Sequence, residues 1–311
     1  MPLPSELSAT SPVRPTGCPG LLRIVQAMDG GICRVKLAGG VITAQQAHAV
    51  ADVAQRYASG VIEATNRSNL QIRGVGTEHA ALIEPLLAAG LGPANAASDD
   101  VRNLMLSPTA GIDPQQTIDT WPLARQILAS LESTPRFAEL SAKFAVQLDG
   151  AEALAMLEHH HDLWLSAFVC NGQTLLAFGL AGCPAHDAPL GAVPLAHGHE
   201  LVMTVLTLFL DVARPEQTRM RHLLKDLSAA DFVEQLALRM PVLIAPLTDW
   251  RRDQPVLQSP IGTYPQRECE RVHVGAALVL GRLDATMLNG LAQLASEYGN
   301  GTLRLSLIHI S

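Results

Sequence analysis

Residues 31–74 read GICRVKLAGGVITAQQAHAVADVAQRYASGVIEATNRSNLQIRG, and this stretch decides the fold. Side chains alternate along a strand, so Ile32, Arg34 and Lys36 share one face and Cys33, Val35 and Leu37 the other. Gly39-Gly40 turns the chain, and Thr43 stands where a helix needs an N-cap. Ala44, Ala47, Val50, Ala54 and Tyr57 then recur at three- and four-residue steps, which predicts a helix with one buried face. Ser59-Gly60 ends it. From Val61 the odd positions Glu63, Thr65, Arg67, Asn69, Gln71 and Arg73 are polar, with Ile62, Ala64, Leu70 and Ile72 opposite, which predicts a second strand. With both strands in one sheet, Arg34, Lys36, Arg67 and Arg73 would project toward a common anion. A solvated sheet edge would carry the same charges, but buried sheet faces seldom hold four cations without a partner.

The stretch has a second copy. Residues 281–301, GRLDATMLNGLAQLASEYGNG, repeat residues 40–60, with identities at Gly40/Gly281, Ala44/Ala285, Ala51/Ala292, Ala54/Ala295, Tyr57/Tyr298 and Gly60/Gly301. Ile42/Leu283, Val50/Leu291 and Val53/Leu294 keep the buried face. A single repeat at this distance is not a solenoid period; it predicts two αβ units paired about a pseudo-two-fold axis. The copies are chemically unequal, because Gly275 and Ala277 stand opposite Arg34 and Lys36.

Length and composition bound the rest. The chain has 311 residues, enough for two or three domains, and 48% hydrophobic against 16% charged residues excludes a largely disordered protein. A net charge of −7 argues against general nucleic-acid binding, so a cationic site must be a local patch. Five cysteines without a CxxC indicate neither a disulfide framework nor a zinc site. The N-terminus lacks a signal-peptide pattern, and the apolar run Leu201–Leu210 is too short to span a bilayer. The expectation is a cytoplasmic protein without membrane partners. His159-His160-His161 invites a metal reading, but neighbouring residues point apart on a strand or a helix, so a surface cluster is expected. Asn171-Gly172 predicts a hairpin between strands at 163–169 and 173–179.

Two motifs in the opening stretch, CRVKLAGGVIT and TNRSNLQIRG, resemble the ferredoxin-like half-domain of the nitrite and sulfite reductase superfamily, in particular of precorrin-3B synthases. RPTGCPGLLRI resembles the opening of the same family, with Cys18 as a ligand, a reactive thiol or an inert residue. NLMLSPTAGIDP (103–114) resembles a segment that precorrin-3B synthases carry, and PRFAELSAKFAVQLDG (135–150) the family strand with two lysines. Lys143 matches the first lysine and Ala145 replaces the second, which disfavours reduction of a small oxyanion. TRMRHLLKDLSAADFVEQLALRM (218–240) resembles the superfamily linker.

The resemblance implies an α+β fold. An arm (1–19) leads into a first half-domain (20–95), an α/β nitrite/sulfite-reductase-type domain (96–240), a connector (241–270) and an incomplete second half-domain (271–305). LSLIHIS looks like read-through of a sequencing adapter, so residues 306–311 are expected to be an artefactual tail on a truncated chain. The implied activity is oxygen-dependent hydroxylation of precorrin-3A with lactone formation. NADH-derived electrons would arrive through a [4Fe–4S] cluster whose cysteines lie beyond residue 305, with non-haem iron a further candidate and an electron-donor protein a candidate partner. Arg34, Lys36, Arg67, Arg73 and Lys143 are the expected tetrapyrrole-binding residues, supported by Asn69 and Gln71; no general base or nucleophile stands out. A sirohaem-dependent nitrite or sulfite reductase and a non-catalytic tetrapyrrole-binding protein are the alternatives.

Overall fold

Thr43 closes a capping box at the first helix: its hydroxyl accepts from Gln46 N at 3.2 Å, and the Gln46 side chain accepts from Thr43 N at 3.0 Å. In the computed structural model, which describes residues 17–255 and 260–306, this helix is α1 (Ala44–Tyr57). The arm up to residue 16 and all but Ser306 of the expected tail lie outside the described residues. Around α1 the first unit has strands β1 (Val25–Ala27), β2 (Gly30–Val35), β3 (Val41–Thr43), β4 (Val61–Ala64) and β5 (Leu70–Val75), then helix α2 (His79–Ala88). The strand expected from Val61 to Arg73 is therefore a hairpin. β4 and β5 are antiparallel neighbours, with Ile62 opposite Ile72 and Ala64 opposite Leu70, and residues 65–69 form the turn between them.

The central unit is a five-stranded sheet, in the order β10-β9-β8-β7-β6, built from β6 (Leu104–Met105), β7 (Val146–Asp149), β8 (Leu163–Cys170), β9 (Gln173–Leu180) and β10 (Gly191–Pro194). β6, β7 and β8 run parallel and the rest antiparallel. The β8–β9 hairpin turns at Asn171 and Gly172, whose φ angles of 51° and 76° are the left-handed pair such a two-residue turn needs. Four helices belong to this unit: α3 (Trp121–Ser133), α4 (Gly198–Val212), α5 (Met220–Leu223) and α6 (Ala229–Ala237). Residues 195–212, which include α4, are long and apolar enough to cross a membrane by length and composition. Yet Leu201, Val202, Val205, Leu206 and Phe209 of α4 are fully buried in the core of the unit. The loop after β6 is held by Asp113, whose Oδ2 accepts from the Thr109 hydroxyl at 2.8 Å and from Ala153 N at 2.9 Å. Burial, with Asp149 close by, raises the Glu152 carboxyl in this region well above its ordinary pKa.

The second copy of the first unit follows: β11 (Gly262–Pro265), β12 (Val272–Gly275), β13 (Arg282–Asp284), α7 (Ala285–Tyr298) and β14 (Thr302–Arg304). It pairs with the first reciprocally. β13 adds to the first sheet beside β4, giving the order β1-β2-β5-β4-β13, while β14 pairs with β3. Ala285 N donates to Gly60 O at 3.2 Å, and Ala44 N donates to Gly301 O at 2.8 Å. His48 and Asn289, equivalent positions 241 residues apart, meet at 2.7 Å where α1 and α7 cross. Asp284 caps α7 through Met287 N, as Thr43 caps α1. The two copies thus share one core, in which Ala47, Ala51 and Ala54 of α1 lie with Leu283, Leu288 and Ala292 of the second copy. Arg304 crosses to the central unit, donating to Pro108 O at 2.9 Å and Ala110 O at 2.7 Å.

Two glycines test this packing. Gly40 has φ +72°, and a Cβ there would meet Ser68 Cβ at 2.8 Å and Leu305 O at 3.0 Å; Gly60 has φ +78° and open space around it. Gly60→Ala is expected to cost about 1 kcal/mol from backbone conformation alone. Gly40→Ala should cost on the order of 3 kcal/mol, because overpacking adds to strain. Equal losses in urea denaturation would contradict the close approach at Gly40.

Candidate anion site

The turn joining β4 to β5 is organised by Thr65. Its N–H donates to Asn69 O at 2.8 Å, and its hydroxyl accepts from Arg67 N at 3.3 Å and Asn69 N at 3.2 Å. Ser68 takes a left-handed φ of 52°. Asn69 Oδ1 accepts from Leu37 N at 2.8 Å, which ties the turn to the chain just beyond β2. Arg67 is therefore presented at the tip of a turn that Thr65 closes on itself and that Asn69 ties to the chain beyond β2.

A cavity of about 220 Å³ lies against this turn, lined by Cys18, Arg34, Thr65, Asn66, Arg67, Asn69 and Lys143. Arg34 reaches it from β2 and is held by Gln71 Oε1, which accepts from Nη2 at 2.8 Å; its buried Nε has no protein partner. Lys143 arrives from the turn before β7, not from the strand itself as expected. Among the described residues, Arg34, Arg67 and Lys143 form no ion pair with a carboxylate. Burial pushes the Arg67 guanidinium below its ordinary pKa, and the charges of Arg219 and Arg34 push it the same way. Burial also lowers Arg34, partly opposed by Cys18 and Asp100. Cations gathered in this way, with donors unused, favour an incoming anion.

Behind Arg67 the charge is fixed. Asp162 is buried and accepts Arg219 Nε at 2.7 Å, Ala145 N at 2.9 Å and Met220 N at 2.8 Å. Ala145 is itself buried, so no second lysine stands beside Lys143. The rings of His159 and His161 meet tilted by 46° at a centroid distance of 4.9 Å. Burial and then His159 push His161 down to about 3, and burial and then Arg67 lower His159. Both rings are neutral near pH 7. The three histidines do not form the expected surface cluster, because His161 is buried.

Of the four sheet cations expected to share one anion, the structure brings two together. Lys36 is buried beneath the 99–103 segment; its Nζ donates to Asp100 O at 2.5 Å and lies 3.8 Å from Asp100 Oδ1. Alternation puts it on the face of Arg34, but two residues along a strand is roughly 7 Å further. Arg73 is at the far end of β5, with its guanidinium on Asp29 at 2.8 and 3.0 Å. Asn69 and Gln71 shape the site, one as turn anchor and one as the clamp on Arg34. Asn66 was missed, although the run Thr65-Asn66-Arg67-Ser68-Asn69 is rich in turn formers. Arg219 lies in the 218–240 linker segment, and its pairing with Asp162, 57 residues away, has no sequence signal.

The described cysteines do not fit a four-thiolate cluster site. Cys33 is core, its thiol pushed up to about 12 chiefly by burial, and its Sγ approaches Leu21 O. Cys170 ends β8 at the hairpin turn and Cys183 follows β9 at the other end, roughly 25 Å along an eight-residue strand. Cys18 lines the cavity and Cys269 is exposed.

Comparison with known proteins agrees with this architecture. The nitrite and sulphite reductase 4Fe-4S domain matches residues 97–243, and the nitrite/sulfite reductase ferredoxin-like half domain matches residues 24–90 and 264–306. The domains of this chain are those of the nitrite/sulfite reductase superfamily. A chloroplastic ferredoxin–nitrite reductase of Zea mays is 31% identical over 295 residues, covering 88% of this chain and 51% of that protein. A precorrin-3B synthase of Sinorhizobium sp is 27% identical over 208 residues, covering 67% of this chain and 44% of that protein. Within the superfamily the nitrite reductases therefore match over more of the chain than the precorrin-3B synthase on which the motifs first pointed. The solved structure of the Mycobacterium tuberculosis NirA protein shares the fold, with a TM-score of 0.73 at 21% identity, covering 89% of this chain and 52% of that one. The chain spans about half the length of the curated relatives it matches.

Lys36 gives a test of the burial pattern. Burial lowers its pKa to about 8, against the opposing pull of Asp100. The unfolded chain then binds more protons between pH 8 and 10.5, so stability rises with pH across that window. Relative to Lys36→Met, the wild type should gain about 2 kcal/mol between pH 7.5 and 10 in chemical denaturation. Parallel pH profiles would place Lys36 in solvent.

Proposed function

We propose that this chain is the tetrapyrrole-carboxylate-binding portion of an oxidoreductase of the precorrin-3B synthase type. The observation that carries the reading is the convergence of Arg34, Arg67 and Lys143 on one cavity with no described carboxylate in ion-pair contact with them. At about 220 Å³ the cavity is smaller than a site enclosing a whole drug-sized ligand, so it suits a carboxylate arm and leaves the macrocycle outside. Arg67 and Arg34 would grip the carboxylate through paired N–H donors, and Lys143 at the exposed side would add a point charge. Gln71 keeps Arg34 aimed at the ligand, and the Thr65–Asn69 turn keeps Arg67 there. Buried Ala145 supports a large organic substrate over a small oxyanion, because reduction of the latter needs dense positive charge.

In the reaction proposed for the whole protein, dioxygen and precorrin-3A react with two electrons and two protons. A carbon–carbon double bond of the macrocycle is lost: one oxygen atom becomes the hydroxyl on one of its carbons, a carboxylate arm bonds to the other and closes the lactone, and the second oxygen atom leaves as water. NADH, or a ferredoxin-like donor, would be the electron source. A [4Fe–4S] cluster or non-haem iron would supply one-electron chemistry when bound, although the cysteines of this chain do not fit the cluster. The residues described contribute binding and orientation.

A second reading, a sirohaem-dependent nitrite or sulfite reductase, is favoured by the likeness to ferredoxin–nitrite reductases. The same cations would then hold carboxylates of the sirohaem. Titration of the purified chain with precorrin-3A and with sirohaem, followed by absorbance, separates the two. Precorrin-3A should bind, with Arg67→Ala and Arg34→Ala each weakening it about tenfold or more. The exposed Lys143→Ala should cost a few-fold, with affinity falling as salt rises. Binding of sirohaem alone would replace the first reading by the second, and binding of neither would overturn the carboxylate site.

A further inference from the structure

Outside the cation cavity, a second group of chemically unlike side chains converges on the other end of the β8–β9 hairpin. One donor atom each from His160, Cys183 and Asp187 lies within 4.8 Å of the others. We propose that these three residues form a site for a divalent transition metal, zinc(II) or iron(II), with a fourth position open to water.

The backbone assembles the group before any ion arrives. The segments entering β8 and leaving β9 are zipped by His161 N to Gly182 O at 2.9 Å, Ala181 N to Asp162 O at 3.0 Å and Ala185 N to Leu157 O at 3.0 Å. Cys183 and Asp187 are locked to each other: Cys183 N donates to Asp187 Oδ2 at 2.7 Å, and Asp187 N donates to Cys183 O at 3.0 Å. This bond orients the carboxylate and leaves Oδ1 for a ligand, as outer-shell bonds do at metal centres. Zinc bonds of 2.0–2.3 Å place tetrahedral donor atoms roughly 3.5 Å apart. A movement of the exposed His160 and Asp187 donor atoms on the order of 1 Å closes the remaining distance, with Cys183 as the buried fixed point.

The donor set selects the ion. One thiolate, one imidazole and one carboxylate suit zinc(II) or iron(II), whereas magnesium and calcium require oxygen donors. Three protein ligands with an open fourth position is the arrangement of reactive rather than purely structural zinc sites. Neighbouring histidines do not share it: the rings of His159 and His161 lie against each other, tilted by 46°, and the donor group takes in His160 alone of the three. The site therefore draws one histidine from the run of three, and it rests on observations independent of the carboxylate cavity.

Cobalt(II) titration into the purified chain is the test. One equivalent should bind with a thiolate-to-cobalt charge-transfer band in the near ultraviolet, and zinc(II) should displace it. His160→Gln and Asp187→Asn, both at exposed positions, should each weaken binding at least about tenfold. Asp187→Asn keeps an oxygen to accept from Cys183 N, so folding is preserved. Cys183→Ala should remove the charge-transfer band; should it fail to fold, the two surface variants still decide. His159→Gln and His186→Gln should bind as wild type does. Absence of stoichiometric binding, bound cobalt without the thiolate band, or binding kept in His160→Gln and lost in His186→Gln would each overturn the site.

Discussion

The reciprocal strand exchange between the two αβ copies is the constraint on which the first unit depends. β13 pairs with β4 and β14 with β3, so each copy contributes a strand to the other. Ile62 is matched to Leu283 and Ile42 to Leu303, which places apolar side chains of both copies on one face. A slip of one residue would turn that face to solvent, so register is set by burial. Alanines on α1 keep the helices close enough for His48 and Asn289 to meet at the crossing. With β4 fixed by β13 on one side and β5 on the other, the 65–69 turn has a firm base.

That base is what lets the turn hold a cation among cations. Arg67 sits in the field of Arg34 and Arg219, an arrangement that costs free energy until an anion enters. Fixed partners hold the surroundings in place: Gln71 grips Arg34, and Asp162 satisfies Arg219 and two backbone amides. The copies divide the labour, since the second provides a strand, a helix and Arg304 as a tie to the central loop, but no cation to the cavity. A local positive site on a chain of net charge −7 is a selective feature of the turn, not a property of the whole surface.

The helix, its cap, the repeat and the α+β class were legible because each rests on short-range periodicity. The hairpin between β4 and β5 was not, for a physical reason. Antiparallel partners point to the same face, and Ile62, Ala64, Leu70 and Ile72 all have even numbers, so the alternation passes unbroken through a five-residue turn. Which cations are free was equally hidden. Lys36 is taken by Asp100 and Arg73 by Asp29, acids far off in sequence, whereas among the described residues no carboxylate forms an ion pair with Arg67. Lys143 and Arg34 line the same cavity, but the sequence could not place them together, since they sit in different units. The resemblance to precorrin-3B synthases identified the superfamily, while the matched relatives left the particular reaction to be tested.

The most direct measurement is nitrogen-detected NMR of the arginine side chains while a tetrapyrrole polycarboxylate is added. The account predicts saturable shifts of the Arg67 and Arg34 guanidinium resonances at one ligand per chain, with Arg73 unmoved. Shifts centred on Arg73, or a uniform drift of every exposed arginine, would contradict a built anion site at the 65–69 turn.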